Sequence, residues 1–415
     1  MIYQNYYNMG NETNITCEEV ELSSEQNKFV KDCAWWIENC GNLPVGIVGV
    51  LLNSIALFVL ATPSMRSNFF NRLLFILAIF DNVYLSCEIS EVFRHRYRTF
   101  GQQHIFVNFV YPVRSVFMCS SIFMTIVLTL ERYQAITNPV EYRIRSSQNI
   151  MKRLFYYVLP VLTIAVFYYT PKFLDLNVDE VMKCSNGKST NTTPIPDDFD
   201  PEDPQYGNCT IGYPLIPTAL RVNHHYVLWY INISNLLLTA IMPVCVLLYM
   251  NCKIYSSLKG FMQRQPSQHS NLGQNRRNQT QDLKKTFILF SIVILFVLCH
   301  TIRIVLNIDE FLNLAKVKEH REKGCNATDG FWTQIAVPIN QLLIIVNSSG
   351  NFFIYSFFDP SFQQVLRQVC IVRSVLQNQD EIHDDSNTNR TKRTVAASEI
   401  AETNEIELSN MNNNV

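Results

Sequence analysis

Seven stretches of about twenty mostly apolar residues, joined by polar connections, set the first limit on what this chain can become. They run near 44–62, 69–92, 105–136, 152–171, 224–252, 283–307 and 331–356. At roughly 1.5 Å per residue, each is long enough to cross a hydrocarbon layer about 30 Å thick. A water-soluble helical protein would carry an apolar stripe on each helix, and no such stripe persists through the first, fourth or sixth stretch. The expected fold is therefore all-α, a membrane-spanning seven-helix bundle. A net charge of −1 over 415 residues argues against a nucleic-acid binder, which needs a basic excess. Only 13 glycines argue against Gly-rich phosphate loops.

Charge in the connections gives an orientation. With the N-terminus outside, the inner connections are about 63–68, 137–151 and 253–282, and basic residues crowd them and the adjoining helix ends: Arg66, Arg72, Arg132, Arg143, Arg145, Lys152, Arg153, Lys253, Lys259, Arg264, Arg276, Arg277, Lys284 and Lys285. The acids there are Glu131, Glu141 and Asp282, whereas the outer segments hold runs such as the acidic 197–203. Arg94, Arg96 and Arg98 run against the trend in the first outer connection. Sequons at Asn11, Asn14, Asn191, Asn208 and Asn326 fall outside as candidate glycosylation sites. Cys17, Cys33, Cys40, Cys184, Cys209 and Cys325 also fall outside, where disulfides persist, and their pairing is open. The first twenty residues have no apolar core or cleavage site, so no removable signal peptide is expected.

The expected organisation is an extracellular glycosylated segment over 1–43, the bundle over 44–358, a short amphipathic eighth helix over 359–371 and a cytoplasmic tail over 372–415. In the eighth helix Phe362, Val365, Leu366 and Val369 recur at helical spacing. Cys370 at its end is a candidate lipidation site. The tail, rich in Asn, Ser, Thr and acids, has the composition of a disordered segment open to phosphorylation.

Polar residues inside spans are costly and mark function. The third span ends in Glu131-Arg132-Tyr133, followed by Asn138-Pro139-Val140; the second carries Leu77-Ala78-Ile79-Phe80-Asp81; the first holds Asn53. The fifth has Pro243, the sixth Phe296 and Cys299-His300, and the seventh runs Asn347-Ser348-Ser349-Gly350-Asn351-Phe352-Phe353-Ile354-Tyr355. Taken in order over residues 44–371, these motifs resemble the rhodopsin-like family of G-protein-coupled receptors. Tyr168 to Phe173, Leu247 to Tyr255, Cys299 to Asn307 and the Asn-Phe of the seventh span look like the invertebrate FMRFamide-type neuropeptide receptors.

Four positions depart from the family pattern. Val107 stands where the family has a third-span cysteine, so Cys184 and Cys209 are left to pair with each other, with the N-terminal cysteines or with Cys325. His300 and Ile302 replace the sixth-span Trp and Pro, which removes the ordinary cause of a kink. The fourth-span Trp is absent near Val161. Phe352 replaces the seventh-span Pro and keeps a backbone donor.

The resemblance implies roles. Glu131, Arg132, Tyr133, Val140, Asp282, Asn351 and Tyr355 form the coupling switch, with Arg132 held by Glu131 and by Asp282 at the inner start of the sixth span. Pro243, Phe296 and His300 transmit the signal. Asp81, Ser121, Asn347, Ser348 and Asn351 offer oxygens to an allosteric Na⁺, with a protonated Asp81 in a hydrogen-bond network as the other reading. Glu88, Arg114, His300, Arg303, Asp309 and Glu310 face the ligand. Arg114 occupies the place of the aminergic aspartate, which argues against a monoamine, and the seventh span has no lysine, which excludes a retinal Schiff base. An acidic mouth suits a basic, amidated peptide; a different peptide or a chemosensory ligand is the alternative. The implied partners are that ligand, a heterotrimeric G protein, arrestin, receptor kinases and the plasma-membrane bilayer. A transporter would show repeats and broken helices, and a membrane enzyme a catalytic set such as His-Glu-x-x-His. Neither is present, and no covalent catalysis is expected.

Overall fold

A computed structural model of the chain describes residues 23–97, 99–146, 149–185, 190–194, 209–263, 272–322 and 330–369. Its backbone divides into two units, residues 1–359 and 360–415. In the first, seven helices are long and apolar enough to span a membrane. They are α1 (Ser24–Leu60), α2 (Phe69–Tyr97), α3 (Phe100–Thr137), α4 (Ile150–Tyr169), α5 (Tyr226–Ser257, continuing helical to Gln263), α6 (Leu272–Glu322) and α7 (Phe331–Phe358). Large apolar side chains such as Phe58, Phe167, Leu298 and Phe357 lie exposed on them. In water so much apolar surface would drive aggregation; in lipid it is the solvated face.

The helices close a ring: α1 packs on α2 and α7, α2 on α3, α5 on α6, and α6 on α7, with α3 in the middle against α2, α4, α5 and α6. The closest approaches use glycine. A Cβ on Gly49 would stand 2.9 Å from Leu85 of α2 and 2.9 Å from the Ser349 Cβ of α7, so α1 seats in their groove only without a side chain there. Short π-helical turns interrupt α1 at Ile37–Asn42, α3 at Phe106–Val110 and α5 at Tyr226–Ser234 and Leu237–Ile241. By contrast, α6 is continuous over 51 residues, in keeping with its lack of proline.

Several helices exceed their apolar runs, α1 and α6 by the most. α1 starts at Ser24 rather than near 44, because Ser23 and Gln26 form a capping box: the Ser23 hydroxyl accepts from the Gln26 amide and the Gln26 side chain accepts from the Ser23 amide. This corrects the sequence reading, which placed Cys33 and Cys40 among extracellular disulfide candidates; both lie on α1 and are free thiols. α6 extends past both ends of 283–307, since hydropathy registers only the lipid-facing stretch whereas a helix continues until something breaks it.

The connection between α4 and α5 carries five short strands: β1 (Leu176–Val178), β2 (Val181–Ser185), β3 (Thr190–Pro194), β4 (Cys209–Gly212) and β5 (Leu215–Pro217). β1 pairs with β5, and β2 sits between β3 and β4, all antiparallel. Cys209 is disulfide-bonded, and Cys184 is its register partner across β2 and β4. Val107 is buried with Phe106, Val110, Tyr111, Cys87 and Leu176 in an apolar cluster.

In the second unit, residues 360–369 are helical, with Phe362 and Val365 buried and Gln364, Arg367 and Gln368 exposed. Asn11, Asn14, Cys17, Asn208, Cys325, Asn326, Cys370 and the tail lie outside the described residues; for Asn191, Cys184 and Asp282 only the backbone, in β3, β2 and α6, is described.

Candidate functional site

Three polar groups lie along the bundle, at the end bearing Arg132, in the middle, and at the end bearing the strands. The first is built on one carboxylate. Glu131 is fully buried, and its Oε2 lies 3.0 Å from Arg132 Nη2. Its Oε1 accepts a 2.5 Å hydrogen bond from the Tyr142 hydroxyl and lies 3.7 Å from Arg153 Nη2 of α4. The two guanidiniums stack on neighbouring rings of α2, Arg132 over Phe70 and Arg153 over Phe69, each at 4.1 Å. Tyr142 belongs to the short helix Pro139–Ser146, where burial first and the Glu131 carboxylate second push its phenol up to about 12. On the same short helix Val140 is 73% exposed. Tyr133 is half-buried and Tyr355 buried. Arg153 and Tyr142 escape the sequence reading: the first counts there only toward charge bias, and the second carries no motif.

At mid-bundle, Asp81 of α2 is fully buried. Its Oδ1 accepts from the Ser121 hydroxyl at 2.6 Å and its Oδ2 from the Asn351 amide at 2.8 Å, and Ser348 adds a further side-chain bond. Asn53 donates to the Ser348 carbonyl at 3.0 Å, leaving its own buried Oδ1 without a partner. A carboxylate, two hydroxyls and an orphaned amide oxygen form an oxygen donor set that fits a small hard cation. Asn347 is half-buried, and among the described residues no hydrogen bond ties it to Asp81. One level out, Phe296 packs with Ile122, Leu247 and Val293, and the His300 ring stacks on Phe296 at 4.0 Å. His300 Nδ1 bonds the Phe296 carbonyl while its buried Nε2 has no partner. Pro243 is buried beside the second π-turn of α5.

At the strand end, Arg114 of α3 reaches across to α2, pairing with Glu91 and lying 3.6 Å from Glu88. Gln341 of α7 donates to Glu88 at 2.6 Å. Glu91 also lies 3.7 Å from Arg94, which donates to Gln103 and stacks on Phe106. Of the two carboxylates, Glu91, one turn on from Glu88, is the nearer to Arg114. Arg303, one turn above His300, is buried but meets only neutral groups among its hydrogen-bond partners, Met118 Sδ at 3.2 Å and Asn235 Oδ1 at 3.4 Å. Asp309 stands apart from these, accepting from Asn313 and from Thr333 of α7, and Glu310 is exposed.

The arrangement thus separates a charged cluster at one end from a caged arginine at the other, with packed helices between. Residues 52–355 match the family model described as "7 transmembrane receptor (rhodopsin family)". The chain is 27% identical over 385 residues to the "FMRFamide receptor" of Drosophila melanogaster, a match covering 89% of this chain and 60% of that protein. It is 21% identical over 345 residues to the "FMRFamide peptide receptor frpr-18" of Caenorhabditis elegans, covering 79% and 67%. The match therefore takes in less than two thirds of the fly protein's length.

Proposed function

The chain belongs to the rhodopsin family of seven-transmembrane receptors, and from that premise we propose that its ligand is an amidated peptide of the FMRFamide type and its output is nucleotide exchange on a heterotrimeric G protein. The observation that carries the ligand class is the fly relative, similar along 89% of this chain. The strand end faces the outside and takes the peptide. Glu88 and Glu91 offer two buried carboxylates to its basic side chain, which enters by displacing Arg114, the more exposed partner. Arg303, with no carboxylate among its hydrogen-bond partners, is placed to donate to a carbonyl of the peptide terminus. The Arg132 end faces the cytoplasm. There Asp282 adds a second counter-ion to Arg132 in the resting state, and release of Arg132 opens the G-protein cleft, with Val140 as an apolar contact. Arrestin and receptor kinases act on the same side.

Ligand-driven nucleotide exchange in membranes tests the reading. Amidated peptides ending in Arg-Phe-amide are expected to activate, and removal of that dipeptide to weaken potency at least tenfold, about 1.4 kcal/mol. Equal potency of the truncated peptides would remove the FMRFamide assignment.

The Asp81 group, in the same reading, holds Na⁺ and biases the receptor toward rest. Sodium is expected to lower agonist affinity in the natural protein and to have no effect in Asp81→Asn, which keeps the shape and removes the charge. A salt titration against a sodium-free cation control reads this directly; the same sodium response in both proteins excludes the site.

A further inference from the structure

Asp175 follows the 3-10 turn Thr170–Leu174 that continues from α4 and is wholly buried, yet it belongs to none of the three groups above. Four side chains from four places converge on it. The Tyr226 hydroxyl, in the first turn of α5, donates to Oδ1 at 2.6 Å. Oδ2 lies 3.3 Å from Lys172 Nζ at the α4 end, 3.4 Å from Arg221 Nη1 of the short helix Ala219–Val222, and 3.4 Å from the Tyr111 hydroxyl of α3. Lys172 also donates to that Tyr111 hydroxyl at 2.7 Å. The Asp175 carbonyl accepts from the Thr218 amide at 3.0 Å, so the residue clasps both ends of the strand-bearing connection. Leu176, next in the chain, is buried in the apolar cluster with Val107 and Tyr111 of α3, and Val178 and Leu215 pack against it.

Among the described residues no cysteine of α3, α4 or α5 is bridged to this connection. Cys119 is the only cysteine of α3, and it is free. Cys209 is disulfide-bonded, and its register partner Cys184 lies within the same sheet. We propose that Asp175 is a positioning residue that fixes the root of the strand-bearing connection to α3, α4 and α5 without a covalent link. A fully buried carboxylate is tolerable only with such donors around it, and removing its charge takes from Lys172 and Arg221 a counter-ion they share. Closing a connection of some forty residues at its base also removes most of its conformational freedom, as a disulfide would. The anchoring stands whatever the ligand is; its effect on ligand residence rests on the peptide-receptor reading.

The test uses the full chain in lipid nanodiscs, without ligand, and follows backbone hydrogen exchange. In Asp175→Asn, amides at 176–178 and 215–222 are expected to exchange at least tenfold faster, with α3 residues 125–137 unchanged. Tyr226→Phe, which removes a single donor, should give a smaller increase at the same amides and serves if Asp175→Asn fails to accumulate. Reductant alone should leave 176–178 and 215–217 protected. Unchanged exchange in both variants, loosening that extends to 125–137, or loss of root protection on reduction alone overturns the proposal. Labelled amidated peptide should then dissociate at least tenfold faster from Asp175→Asn at unaltered basal nucleotide exchange. If the natural protein binds no such peptide, the ligand assignment falls while the exchange result still decides the anchor.

Discussion

Glu131→Gln is expected to raise ligand-independent nucleotide exchange about tenfold, and Arg153→Gln to lower it. The opposite signs follow from one carboxylate serving two guanidiniums. Losing a partner from a buried pair costs about 3–5 kcal/mol. Removing Glu131 frees Arg132 of the contact that holds it in the resting geometry, and a tenfold rise needs only ~1.4 kcal/mol of that cost to fall on the resting state. Removing Arg153 acts the other way. When Arg132 leaves, Arg153 keeps the buried Glu131 neutralised; without it, departure strands a carboxylate, and Arg132 is held more tightly. Basal exchange at matched surface density measures both. A rise in Arg153→Gln would show that Arg153 restrains the switch and sink the second-counter-ion argument, and Arg153→Lys, which keeps the charge, should lie nearer the natural protein.

Gly49→Val should nearly abolish surface expression, and Gly49→Ala should lower thermal stability clearly. A Cβ at Gly49 meets Leu85 Cδ1 and the Ser349 Cβ at 2.9 Å; the Leu85 end can rotate, but the Ser349 Cβ moves only with its backbone, so α1 and α7 would have to shift apart to admit it. Overpacking of this kind costs about 1–3 kcal/mol for a methyl group and more for a branched side chain. Gly101→Ala is the control: its Cβ meets nothing within 4 Å, and it should be neutral or gain up to ~1 kcal/mol of helix propensity. Detergent melting curves compare the three. Equal melting points for Gly49→Ala and Gly101→Ala would show that α1 adjusts freely against α2 and α7.

Much of this architecture is written where the physics is local or one-dimensional. Hydropathy locates the seven spans because lipid demands continuous apolar length. The motifs around Asp81, Arg132 and Asn351 are readable because a charge inside a span is conspicuous. What escapes is whatever depends on three-dimensional convergence. Asp175 looks like any loop acid, and only folding brings Tyr111, Lys172, Arg221 and Tyr226 around it from positions up to 64 residues away. Arg153 reads as a membrane-boundary charge until Glu131 is seen beside it. The early start of α1 was legible after all: Ser23 and Gln26 spell a capping box, a signal that the polar composition of the segment masks when apolar runs alone are followed.

The unbroken α6 turns this bundle into a simple machine. Its buried Phe296 sits against α3 and α5, about 10 Å along the axis from Arg303 and about 21 Å from Asp282 at 1.5 Å per residue. With no proline joint to absorb bending between those points, any tilt about the Phe296 fulcrum sweeps the far arm through about twice the arc of the near one. A tilt that moves Arg303 by a given distance thus moves residue 282 about twice as far.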